Sequence, residues 1–113
     1  MTDVAPIPPF DEDRLAELVS ALDADELGVV LSLFLEEVAA EVQAISGGLD
    51  DETHEKATHF VRSGALNLGL AALAHEAAVA TSCPPAQRPA AGSALARAWR
   101  RTADAVAARW PDG

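Results

Sequence analysis

The chain has no tyrosine, two tryptophans and three phenylalanines in 113 residues. So few aromatic residues, beside an abundance of Ala, Leu, Glu and Arg, argue against a strand-rich fold and for helices. A single cysteine, Cys83, leaves no partner for an intrachain disulfide and no second ligand for a CxxC metal site, which suits a reducing cytosol. No apolar run approaches the length of a transmembrane helix. The N-terminal stretch MTDVAPIPPFDED carries acids and prolines where a signal peptide would have a basic flank and an apolar core, so a cytoplasmic protein is expected. Basic residues are scarce as well: eight against eighteen acidic ones, a formal charge of −10. Binding a phosphate backbone requires a basic surface to displace counterions, so nucleic acid is not an expected partner.

What remains is half hydrophobic and arranged in helical periods. Pro6, Pro8 and Pro9 restrict the backbone and remove donors, so residues 1–9 read as a flexible tail and residues 10–113 as one domain. Asp11 is a candidate N-cap for a short helix with Leu15, Leu18, Val19 and Leu22 on one stripe. Asp23 followed by Glu26 has the capping-box spacing and opens a second helix, ended by Gly47-Gly48. Its predicted core face is Leu27, Leu31, Phe34, Val38, Val42 and Ile45. Val29, Val30, Leu33 and Leu35 exceed what one face needs, and the short first helix is expected to cover them. Otherwise they form an exposed binding patch.

A third helix starts at Asp50-Asp51, with Ala57, Val61, Gly64 or Ala65, and Leu68 toward the core and Phe60 at its edge. Gly69 predicts a weakening or bend, after which helix continues to Cys83. The run CPPAQRP breaks the chain, and a last helix from Ala91 to Arg109 places Leu95, Trp99, Thr102, Val106 and Trp110 near one stripe. Arg97, Arg100 and Arg101 fall on its polar side, where solvation and pairing with the surplus carboxylates are expected. Four amphipathic helices with short connections, preceded by a short covering helix, predict an all-α antiparallel four-helix bundle. Such a self-contained bundle suggests a monomer.

The stretch HFVRSGALNLG holds the most informative residue, His59. Successive helical residues turn by about 100°, which puts His59 roughly 160° from the core-facing Val61 and Ala57. It therefore faces water. Lys56 and Arg62 fall roughly 60° to either side of it, with Ser63 and Leu66 closer still. Two cations favour an anion at that position: a phosphorylated imidazole gains charge-assisted hydrogen bonds from Arg62 and the field of Lys56. Small residues beside it leave room for another protein, to which Leu66 offers an apolar contact.

On these residues the chain resembles histidine-containing phosphotransfer (HPt) domains, whose signature is close to H-x-L-K-G-S-S-x-x-L-G. FDEDRLAELVSALDADELGVVLSLFLEEV also looks like that family's first two helices, and the resemblance covers most of the chain from Phe10. It implies a four-helix bundle in which His59 carries the phosphoryl group, Arg62 supports it electrostatically, and Leu68-Gly69 match the apolar-glycine ending. Lys56 and Ser63 are weaker members of the site, while Gly64 and Leu66 contact a partner. Two departures stand out: Arg62 replaces the usual lysine, and Ser63 replaces the usual glycine, which is displaced to Gly64. The implied partners are receiver domains of response regulators and hybrid histidine kinases, which bring Mg²⁺. The chain itself needs no cofactor and, lacking a Gly-rich phosphate loop, is not expected to use ATP as an enzyme would.

Three rivals are weighed against this. A metal site among His54, His59 and His75 lacks an ExxH pair. A self-sufficient nucleophilic enzyme would need an activated Ser or Cys, and Cys83 at the edge of a proline loop shows no such setting. A noncatalytic docking module that binds a receiver or kinase without accepting phosphate is favoured by Ser63 and opposed by an intact His59. His54 and His75 are expected at the surface or its boundary, and Asn67 at the border of the site.

Overall fold

A computed structural model describes residues 7–111. Residues 1–6 of the expected tail lie outside the described residues; the carbonyl of Ile7 accepts a hydrogen bond from Arg101 at 2.8 Å. The described chain is all helical, with α1 Glu12–Ala21, α2 Ala24–Gly47, α3 Asp51–Asn67, α4 Ala71–Ser82 and α5 Arg88–Arg109, and a short 3₁₀ turn at Pro85–Gln87. Its dimensions are 42 × 37 × 21 Å. The thin one matches two helices of about 10–12 Å side by side.

Three aspartates start three helices. The side chains of Asp11, Asp23 and Asp50 accept from the amides of Arg14, Glu26 and Thr53 at 3.2, 2.7 and 2.8 Å, satisfying donors that the first helical turn leaves free. Amide donation holds the carboxyls of Asp23 and Asp50 below the ordinary aspartate range. Glu26 shifts the other way, because its carboxyl meets the Asp23 carboxylate.

Gly69 does more than bend a continuing helix, as the sequence suggested. It adopts a positive φ of 71°, the Gly69 amide reaches the Leu66 carbonyl at 3.4 Å, and the Leu70 amide reaches that of Ala65 at 2.8 Å. This pair of bonds closes α3 in a Schellman turn and reverses the chain into α4. The last helix, expected from Ala91, begins at Arg88. Pro89 lies within its first turn, where a missing amide hydrogen costs nothing and the fixed φ is already helical.

Helix α2 packs against α3 and α5, and α4 packs against the same two. The indole of Trp110, just past α5, donates to the Ala24 carbonyl at the start of α2. At the other end, Ser46 of α2 donates to the Gly92 carbonyl near the start of α5. These two helices therefore run in opposite directions. Leucine and valine from α2 and α5 meet mostly alanines from α3 and α4 in the core.

Two expectations for α2 need correction. Leu35 is buried and Phe34 only half-buried, the reverse of the predicted assignment. Both lie one turn after Leu31, and the choice is made by α5, whose Trp99 indole donates to the Leu35 carbonyl at 2.9 Å. Nor does α1 cover Val29, Val30 and Leu33, which are exposed. Its bonds lead elsewhere: the Asp11 amide donates to the Gly69 carbonyl, Arg14 Nε to the Asn67 carbonyl, and Glu12 pairs with Arg109. It packs on α2 and is tied to the α3–α4 turn and to the end of α5.

The expected pairing of Arg97, Arg100 and Arg101 with carboxylates is also absent among the described residues. Arg101 donates instead to the Ile7 carbonyl. Among the described residues, no helix is long and apolar enough to cross a membrane.

Candidate functional site

Helix α3 presents two histidines with opposite surroundings. Ala57, Val61 and Ala65 face the core, and His54 extends the same stripe by one turn. Only 2% exposed, His54 is not the surface or boundary residue expected. Its Nε2 lies 2.7 Å from the Ala80 carbonyl at the end of α4, while Nδ1 is buried without a partner. The first turn of α3 is thereby tied to the last turn of α4. A polar residue type had hidden a core position that the i, i+3, i+7 spacing His54–Ala57–Val61 would have disclosed.

His59 lies on the opposite face and is exposed. Ser63, one turn on, places its hydroxyl 3.4 Å from His59 Nε2. Arg62 is exposed beside it and, among the described residues, has no carboxylate within ion-pair distance. It lines a recess of about 280 Å³ with Ala78, Thr81 and Ser82 of α4. Lys56 lies toward α2 instead, where it borders a hollow with Glu37, Glu41 and Phe60, and its ammonium is 3.3 Å from Glu52. The two cations expected around the imidazole are therefore unequal, since only Arg62 is free of an acidic partner.

Gly64 gives α2 its close approach to α3. A Cβ built there would collide with the Phe34 ring, which occupies the space. Phe34 in turn meets Phe60 with ring centroids 6.5 Å apart. Leu66 is 54% exposed. On the site's border, Asn67 is exposed and its carbonyl is taken by Arg14. His75 is exposed on α4 and touches none of the site's named polar groups through a hydrogen bond.

Cys83 is half-buried, with its sulfur 3.5 Å from the Ala80 carbonyl that also accepts from His54. Among the described residues, no three His, Cys, Asp or Glu side chains converge on a position that would hold a metal ion.

The arrangement offers a solvent-facing imidazole on a helix fixed at both ends, a hydroxyl at its Nε2, an uncompensated guanidinium on one side and apolar side chains nearby. Compared with known proteins, the chain matches no family model, no curated protein and no solved structure.

Proposed function

We propose that the chain is a histidine phosphotransfer protein of a two-component phosphorelay, with His59 as the phosphoryl carrier. On this reading the helix contacts are those of an antiparallel four-helix bundle with α1 across one end. The observation that carries the reading is the exposed imidazole at mid-helix beside an unpaired Arg62. Nothing else on the exposed face of α3 combines a nucleophile with an anion-stabilising group.

The chemistry asks little of this chain. The Nε2 lone pair of His59 attacks the phosphorus of a receiver's aspartyl phosphate. An N–P bond forms, the P–O bond breaks, and its electron pair leaves on the aspartate carboxylate. Nδ1 keeps its proton, and the ring takes up the positive charge. Transfer to a second receiver reverses these steps. Arg62 supports the phosphoryl oxygens through charge-assisted hydrogen bonds, with Lys56 and Ser63 as weaker contributors. Leu66 belongs to the partner-facing surface, whereas Gly64, expected there from the sequence, is turned to the Phe34 ring of α2 and serves helix packing instead; Mg²⁺ is supplied by the receiver. Orientation on a rigid helix is the chain's own contribution. The protein acts in the cytoplasm as a monomer, without an ATP site or cofactor of its own.

A second reading has one observation in its favour. Ser63 stands where the resembled family has glycine, with its hydroxyl against the reacting nitrogen. A module that docks on a receiver or kinase without accepting phosphate would tolerate that.

Transfer from a phosphorylated receiver to the purified protein, run beside His59→Ala, separates the two. Acid-labile, alkali-stable label that is lost completely in His59→Ala supports the carrier. Absence of label from a receiver that demonstrably binds the chain supports the docking module.

A further inference from the structure

Ser63 differs from four other hydrogen-bonded hydroxyls on the helices, and unlike Ser46, which reaches the Gly92 carbonyl of another helix, it bonds within its own helix. Thr58, Thr81, Ser82 and Thr102 each donate to the backbone carbonyl four residues earlier, at 2.7 to 3.1 Å. That is the ordinary resting place of a helical Ser or Thr hydroxyl. Ser63 turns away from the corresponding carbonyl and meets a side chain, Nε2 of His59, at 3.4 Å. Both groups are exposed, so burial does not force the contact.

A neutral imidazole carries its proton on one nitrogen only, and the partner of each nitrogen selects the tautomer. We propose that Ser63 is a positioning residue that donates its hydroxyl hydrogen to Nε2, holding neutral His59 in the form with the proton on Nδ1 and the lone pair on Nε2. This rests on the carrier reading, for it is the tautomer in which Nε2 can attack phosphorus without first losing a proton. The hydroxyl has a second position available, the His59 carbonyl four residues back. Rotation about one side-chain bond moves it there and frees the lone pair as a phosphoryl donor approaches. The serine in place of glycine is then a tautomer selector rather than an obstruction.

Two-bond ¹H–¹⁵N correlation spectra of the imidazole, recorded on the whole chain above the range where histidine is protonated, test this. Wild type and Ser63→Thr are expected to show His59 predominantly with the proton on Nδ1. Ser63→Ala is expected to invert the pattern, so that the Nε2–H form dominates, while the resonances of buried His54 stay in place. The same tautomer ratio in wild type and Ser63→Ala, or a dominant Nε2–H form in wild type, overturns the proposal. Phosphoramidate as a small-molecule donor is tested on the same samples. Slower labelling of Ser63→Ala, by several-fold and restored by Ser63→Thr, extends the effect to the reaction. An unlabelled wild type with the expected tautomer pattern refutes the carrier reading and leaves the Ser63–His59 hydrogen bond standing.

Discussion

At the scale of single residues, two histidines five positions apart are divided by the geometry of one helix. His54 is enclosed and tied to the Ala80 carbonyl, whereas His59 is open to solvent. His54→Ala opens a cavity and leaves that carbonyl only the weak Cys83 thiol, and should cost about 2–4 kcal/mol in chemical unfolding. His59→Ala should stay within about 0.5 kcal/mol of wild type, as exposed substitutions do. Gly64 gives a second test. Alanine there gains helix propensity of about 1 kcal/mol but collides with the Phe34 ring, and such overpacking costs about 1–3 kcal/mol. Gly64→Ala should therefore destabilise the wild type yet stabilise a Phe34→Ala background by about 1 kcal/mol, a change of sign that a double-mutant cycle detects. His59 was legible from the sequence, because Ala57 and Val61 fix the core direction and the helical angle does the rest. Leu35 and Phe34 were not, because both follow Leu31 by one turn and only Trp99, sixty-four residues after Leu35, separates them.

At the scale of helices, the starts of α1, α2 and α3 were legible and the placements were not. An aspartate just before a helical run accepts the free amides of the first turn, and this local rule located α1, α2 and α3. It also makes stability depend on pH. Asp23 and Asp50 titrate lower in the folded chain than in the unfolded one. Their contribution is complete above the unfolded value, about pH 4, and is lost as pH falls through the lowered folded values. Glu26 has the opposite shift and offsets part of this. Asparagine caps equally well without titrating, so the double variant Asp23→Asn, Asp50→Asn should lose less melting temperature than the wild type between pH 5 and pH 3. The position of α1 followed no local rule. It is fixed by the carbonyls of Asn67 and Gly69 and by Arg109, more than fifty residues away in sequence, so its apolar stripe said that it packs but not where. Gly69, expected to bend a continuing helix, reverses the chain, and Pro89, expected in the break, lies in the first turn of α5. Schellman closure and the first-turn tolerance of proline account for both.

At the scale of the whole molecule, charge dominates. Eighteen acidic side chains face eight basic ones, and the ion pairs at Arg14, Lys56, Arg88 and Arg109 occupy half of the latter. Self-repulsion should outweigh these exposed pairs, each of which contributes little. The melting temperature should accordingly rise as sodium chloride is increased from about 10 mM to about 150 mM, where the screening length falls toward 8 Å. A fall would mean that the few pairs matter more than the surplus. The same distribution bears on the direction in which the proposed relay runs most easily. Helix α5, which carries Arg97, Arg100 and Arg101, is not a neighbour of α3, and Lys56 is already neutralised by Glu52. A phosphoryl dianion on His59 would then enter a strongly negative molecule with Arg62 as its local counter-charge. If His59 is the carrier proposed above, that charge imbalance should raise the group-transfer potential of its phosphoramidate and favour passing the phosphoryl group onward.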